Sequence, residues 1–473
     1  MQTFADLTYI PKYFTLRAVL AFGFVMLACI LVFFRQSLPL QWILFGLVEV
    51  FFFFLFSTHF TKRWSLISPH LYQKKLFRVS LVIRVVWVVF SYFYFTLATG
   101  QPFEYETGDA KGYHVEGVWL SGLLTDGKLA VYLDYIGINY SDMGYPFYLG
   151  LLYYFVGDEV LIPRLIKALL GAFTCVLVYK LGRNNFGEST GRIAGVLTML
   201  LPNLIYYSGL HVKETEMVFL TVSFVYLADK LFRSALLSLK AIIAIFLLGG
   251  ALFFFRTVLA VSILGSVAIT ILLVSRLVST RSKKIVLSIL MIIFVALIWS
   301  GPFNEIITGY LEASDQNIAE QMDNFASREG GNLLAKYGSR SLFLPFMLIA
   351  PFPTLVDTNQ PNAMMLGGAM FTRNIYAFFV LMALVVLIRE SLWRQHVLLL
   401  SVLFSYLFIL ASSGFALSER FHMPIVPFML ILAAFGISRT NLGNKKYFIP
   451  YLLIISIIII GWNWFKMAGR ELV

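Results

Sequence analysis

The sequence predicts an all-α polytopic membrane protein, with about thirteen transmembrane helices and interfacial helices in its first outer loop. Three observations predict this. Of the 473 residues, 59% are hydrophobic and only 13% charged, against about 45–50% and 25% in soluble domains. Mean hydropathy is +0.81. The apolar residues also fall in repeated runs of about 17–25, long enough to cross a bilayer as helices that satisfy their own backbone in lipid.

In chain order the runs cover 14–34, 38–57, 79–98, 158–181, 191–207, 215–231, 239–255, 257–277, 285–300, 371–388, 397–413, 425–437 and 447–465. The first is too long for the apolar core of a signal peptide and lacks a small-residue cleavage site. The run 145–156 is too short to span and reads as an interfacial helix. The segment 342–355 is apolar but broken by Pro345, Pro351 and Pro353, so it reads as re-entrant or interfacial. Cys29 and Cys175 both lie inside apolar runs. They read as packing residues, and no disulfide framework follows from them.

Charge orients the spans. The net charge is +12, but the Lys and Arg residues sit in short loops rather than along one basic face, which excludes a nucleic-acid partner. With the N-terminus inside, the cytoplasmic loops carry Lys62, Arg63, Lys74, Lys75 and Arg78, then Arg276, Arg281, Lys283 and Lys284, with no acid among them. Arg389, Arg394, Arg439, Lys445 and Lys446 follow on the same side. The two long loops fall outside. Residues 99–142 carry seven acids against two lysines, and 301–370 carry seven acids against three basic residues. Short-loop bias of this kind sets topology.

This threading collects polar groups at the outer boundary. Asp109, Tyr113 and His114 lie in the first outer loop, in TGDAKGYHVEGVWLSGLLTDG. His211, Lys213, Glu214 and Glu216 follow one span, and Arg256 sits alone in a tight turn. Ser418, Glu419, Arg420 and His422 lie in SERFHMP between two late spans. Each has a plainer reading. Asp109 could cap a helix whose apolar positions are Val115, Trp119 and Leu123. Lys213, Arg256 and Arg420 could snorkel to lipid headgroups. His114 and His422 could be ordinary interfacial polar residues. Glu49 and Arg84 lie at similar depths in neighbouring spans and read as a structural intramembrane pair. Ionisable groups at membrane depth are costly and tend to mark function.

One carboxylate among several cations suits transfer from a phosphate leaving group. Arg, Lys and His hold phosphate through charge-assisted hydrogen bonds and stabilise the charge that develops as the bond breaks. A lone carboxylate serves as general base on an acceptor hydroxyl. Inversion follows when base and leaving group stand on opposite faces of the sugar.

The residues also resemble a known family, the GT-C superfamily of polyprenyl-phosphate-sugar-dependent glycosyltransferases, which includes protein O-mannosyltransferases and aminoarabinose transferases. GDAKGYHVEGVWLSGL is similar to that family's Asp-bearing first outer loop. The stretch from GYPFYLGLLYYFVGDEVLIPRLIKALLGAF to LLPNLIYYSGLHVKET is similar to its core. FFFRTVLAV resembles its Arg at a short outer turn, and SERFHMPIVPFMLILAAFGI its late Glu-Arg-Tyr segment, with Phe421 in place of the frequent Tyr. The resemblance covers most of 108–437. It implies Asp109 as catalytic base, Lys213, Arg256, Arg420 and His422 as donor-phosphate ligands, and Tyr113, His114, Tyr145, Glu214 and Glu419 as supporting or substrate-binding residues. It divides the chain into two additional N-terminal helices with a basic cytoplasmic loop (1–78) and a GT-C-like catalytic module (79–473).

The expected partners are a polyprenyl-phosphate-linked sugar, a glycan, lipid or protein acceptor, and the bilayer. No cofactor is firmly implied, although some relatives use a divalent metal that Glu104 or Glu106 could bind. The expected location is a bacterial inner membrane, with the active site facing the periplasm. Two other classes compete. An O-antigen-type polymerase or ligase would use a diphosphate-linked oligosaccharide and have no need of Asp109. A transporter would place its charges and broken helices at mid-membrane.

Overall fold

The computed structural model describes residues 7–105, 107–137, 140–234, 238–273, 346–411 and 418–468, together with 285, 288, 289 and 292. The expected span 285–300, most of the outer loop 301–370 and Glu106 therefore lie outside the described residues. Those described form helices and no strand, apart from one isolated bridge between Ser37 and Val356.

The first three helices are α1 (Lys12–Val32), α2 (Leu40–Trp64) and α3 (Pro69–Thr99). The outer-loop helices are α4 (Gly108–Thr125), α5 (Leu129–Ile136) and α6 (Gly144–Val156). Next come α7 (Leu161–Phe186), α8 (Glu188–Leu200), α9 (Pro202–Tyr206), α10 (Glu214–Arg233), α11 (Leu239–Phe255) and α12 (Thr257–Leu273). Later in the chain come α13 (Pro361–Met365), α14 (Gly367–Arg389), α15 (Val397–Ala411), α16 (Glu419–Ser438) and α17 (Phe448–Ala468), with a one-turn helix at Leu442–Lys445 before the last.

Seven of these, namely α1, α2, α3, α7, α14, α16 and α17, are long and apolar enough to cross a membrane. The protein is an integral membrane protein. α11, α12 and α15 are shorter apolar helices. The bundle is built around α16, buried along 94% of its apolar window, whereas α3 is buried along only 22% of its own. Both are similarly apolar, so position in the bundle and not hydropathy separates them. α16 packs on α14, α8 and α7, and α1 and α2 close the other side against α14 and α17. Small residues permit the closest approach: a Cβ added at Gly436 of α16 would overlap the Phe379 carbonyl of α14, the close backbone packing that membrane helices favour.

The expected span 191–207 is two helices. Leu201 is extended and Pro202 begins α9, because the residue before a proline avoids helical geometry. Pro202 has no N–H for the Thr198 carbonyl. Arg84 meets that need, donating from Nη2 to Thr198 O at 3.2 Å and from Nη1 to Ser80 Oγ at 2.5 Å. Arg84 is thus a helix-end partner, and the expected pairing with Glu49 is not formed. Glu49 instead accepts the Ala369 N–H at 2.9 Å and anchors the start of α14.

The proline-broken segment is non-helical over 350–360. Its backbone is held by side chains: Asn374 Nδ2 donates to Ile349 O and Pro351 O, and Asn463 bonds Leu355 N and Pro353 O. Irregular buried backbone is tolerated in such a protein when protein groups satisfy it.

The connections sort to two ends. At one, Arg192 donates to Trp64 O and Ser65 O, and Asn185 bonds Arg233 and His396. At the other gather the starts of α4, α10 and α16 and the α11–α12 turn. The expected cytoplasmic loops 62–78 and 389–394 fall at the first end, and the loop 276–284 lies outside the described residues.

Candidate active site

The second end carries the site. Asp109 stands in the first turn of α4 and caps nothing; Thr107 is the N-cap residue, without a side-chain bond. The plainer reading of Asp109 as a helix cap is thereby corrected. An acid in a first turn is favoured by the helix dipole, and here the carboxylate also pairs with Arg420 Nη1. Arg420 sits in the first turn of α16, and its Nε donates to Glu214 in the first turn of α10. One guanidinium therefore joins three helix starts. Glu214 is fully buried, Arg420 largely so, and the Asp109 side chain is 59% exposed.

Lys213 stands beside this triad. Its buried ammonium pairs with Asp142 and donates to Phe255 O at 3.2 Å. It lies 5.8 Å from the centre of the Tyr113 ring. Burial pushes the Lys213 pKa down, and the Asp142 carboxylate opposes that shift. Arg256, at the α11–α12 turn, places its guanidinium 4.2 Å from the centre of the Phe421 ring. Its Nη1 has no hydrogen-bond partner among the described residues.

Tyr113 meets Tyr145 edge-to-face at 5.2 Å. Tyr145 is fully buried and touches the rings of His211 and Phe255. The loop carrying Lys213 is anchored from below by Lys167 of α7, whose Nζ donates to Leu210 O at 2.9 Å and to Val212 O. Glu216 lies 3.6 Å from the same ammonium.

Not every expected residue joins this group. His422 is buried and shares a 2.6 Å hydrogen bond with Arg373 of α14, away from Asp109. It faces the interior because α16 turns by about 100° per residue, so Arg420 and His422 diverge. Glu419 also points inward, accepting from Tyr207 Oη at 2.9 Å and from Asn203. His114 belongs to a separate chain in which Tyr153 Oη lies 3.0 Å from both His114 Nδ1 and His211 Nε2. Sequence reasoning missed Asp142 as the partner of Lys213, and gave no role to Asn203, Tyr207 or Arg373. An acid just before GYPF was the only trace of Asp142.

Two clefts meet at Asp109. One, of about 320 Å³, is lined by Glu104, Thr107, Tyr206, Tyr207, Asn362 and Arg420, with Gly108 and Asp109 at its rim. The other, of about 540 Å³, is lined by Gly112, Tyr113, Val115, Glu116, Trp119 and Tyr135, again with Gly108 and Asp109. Among the described residues, no three His, Cys, Asp or Glu side chains group as metal ligands.

Comparison with family models, with curated proteins and with solved structures returns no match.

Proposed function

We propose that this protein is an integral-membrane glycosyltransferase that moves a sugar from a polyprenyl-phosphate donor to an acceptor hydroxyl with inversion. The observation that carries this reading is the position of Asp109, exposed at the join of two clefts and paired with Arg420. A base must reach the acceptor hydroxyl from one side while the sugar carbon waits on the other. Arg420 stands where a phosphate leaving group needs charge, with Lys213 and Arg256 behind it. The N-termini of α4 and α10 add positive potential at the same place.

In this mechanism the acceptor oxygen attacks the anomeric carbon as its proton passes to the Asp109 carboxylate. The bond from that carbon to the phosphate oxygen breaks, and its electron pair leaves with the polyprenyl phosphate. Arg420, freed from Asp109 by the incoming phosphate, takes up that charge. The leaving group departs as a stable anion, so the step needs no general acid.

The same reading carries the finer architecture: a GT-C-like module of about thirteen spans in a bacterial inner membrane, its N-terminus cytoplasmic and its site periplasmic. The two-ended sorting of the loops supports that parity. A ligase reading makes no use of Asp109, and a transporter reading is disfavoured by a polar cluster confined to one end of the bundle.

The test is transfer from a synthetic polyprenyl-phosphate sugar by the purified protein, with the anomeric configuration of the product determined. Retention of configuration would exclude a single displacement, and full activity in Asp109→Asn would remove the base.

A further inference from the structure

The smaller cleft holds three polar atoms that the protein leaves unmatched. Glu104 Oε2, Thr107 Oγ1 and Asn362 Oδ1 are shielded from solvent and have no hydrogen-bond partner among the described residues. All three residues line the same 320 Å³ cleft beside Asp109. Glu104 is only 7% exposed. Buried polar atoms are almost always bonded, and a cluster without partners is costly unless something else supplies them.

The chemistry of the missing partner follows from the atoms. Asn362 Nδ2 already donates to Tyr105 O. That bond uses the amide nitrogen and leaves the carbonyl oxygen, which can only accept, without a partner among the described residues. Glu104 offers carboxylate oxygen, to which Arg164, Lys167 and Arg420 contribute positive potential, while burial pushes its pKa up. Three residues of the cleft wall therefore hold acceptor atoms without partners, which a ligand with several donors would match. Apart from Gly108, Asp109 and Arg420, the cleft's remaining walls are apolar or aromatic: Tyr206, Tyr207, Leu210, Val212 and Leu366 are buried there. A ligand with donating hydroxyls on its rim and a C–H face for an aromatic wall is a monosaccharide.

We propose that this cleft is the pocket for the sugar head of the donor, in which Glu104, Thr107 and Asn362 accept hydrogen bonds from its ring hydroxyls. This rests on the donor reading above and adds the specificity-determining side chains. Arg420 marks the phosphate end of the pocket, and Glu104 and Asn362 read the sugar.

The test compares binding of two kinds of probe to the full-length protein in nanodiscs. One is undecaprenyl phosphate; the other is a panel of undecaprenyl-phosphate hexoses, N-acetylhexosamines and pentoses. Expected is at least one sugar-bearing lipid that binds wild type about tenfold more tightly than the bare lipid phosphate, the worth of one or two good hydrogen bonds. Glu104→Ala, Asn362→Ala and the shape-conserving Thr107→Val should each reduce that advantage. Binding of the bare lipid phosphate should not weaken in any of them, which also reports that each variant is folded. If every sugar lipid binds wild type no better than the bare lipid, the pocket is overturned while the lipid-phosphate reading stands. An advantage kept in Glu104→Ala and Asn362→Ala overturns it too. Failure of wild type to bind either kind of lipid removes the donor reading, and the pocket with it.

Discussion

Asp109 and Arg420, 311 residues apart in the chain, form an ion pair between the first turns of α4 and α16. The pair has one exposed member, Asp109, which lines both clefts, while Arg420 lines the smaller one. Exposed ion pairs contribute little to stability, about 0–1 kcal/mol. Asp109→Asn should therefore melt within a few degrees of wild type yet lose sugar transfer by about 10²–10⁴-fold, the usual worth of a general base. Thermal melts and transfer rates on the same preparation separate the two effects.

Arg420 has a second, buried partner, and its removal has a different cost. Arg420→Ala leaves the Glu214 carboxylate buried without its cation. Breaking a buried pair from one side costs about 3–5 kcal/mol. Adding Glu214→Gln should recover most of that loss in stability without restoring affinity for a lipid phosphate. A double variant that regained donor affinity would show that Arg420 acts only as a structural partner of Glu214.

Lys167 is a structural cation. Buried in α7, it serves two carbonyls of the loop that presents Lys213, and it lies near buried Glu216. Lys167→Met should destabilise the protein by about 3–5 kcal/mol and lower activity through misplacement of Lys213. Denaturation in detergent measures the first effect, and lipid-phosphate binding measures the second.

The His114–Tyr153–His211 chain predicts a pH response. Burial pushes the pKa of His211 well down, helped by the Lys167 and Arg164 charges, and burial also lowers that of His114. The unfolded chain, with histidines near 6.5, then binds protons more readily than the native state. Stability from these residues is whole above about pH 6.5 and declines as pH falls below it toward the depressed native values. His211→Gln should flatten the stability profile between pH 7 and 5. A profile as steep as that of wild type would assign acid sensitivity to other groups.

Packing positions Asp109. A Cβ on Gly150 of α6 would meet Leu120 of α4 at 2.6 Å, and one on Gly117 of α4 would meet Leu149 at 2.9 Å. Gly150→Val should push α4 away and reduce transfer more than it reduces binding of a lipid phosphate held by Arg420. Equal losses in the two assays would mean that the whole end of the bundle has loosened.

Composition and run length were enough for the helical membrane class, because only self-bonded backbone survives in lipid. Charge bias was enough to group the loops at 62–78 and 389–394, which lie at one end among the described residues. Asp109, Lys213, Arg256 and Arg420 were visible because ionisable residues stand out beside apolar runs, and their threading to one boundary followed from the parity of the spans. The break at Pro202 was legible in principle from the proline, but a window average of hydropathy runs across it.

Side-chain partners were not legible. That Arg420 reaches Asp109 while His422 turns to Arg373 depends on the rotation of α16 about its axis. That Arg84 serves Thr198 rather than Glu49 depends on how closely α7, at Gly171, lets its side chain pass. Such choices are made by lateral packing, where a missing Cβ or a lost N–H decides which helix faces approach. Hydropathy and charge are one-dimensional and act mainly along the membrane normal. They determine which residues share a depth, and contacts between helices determine which of those residues meet.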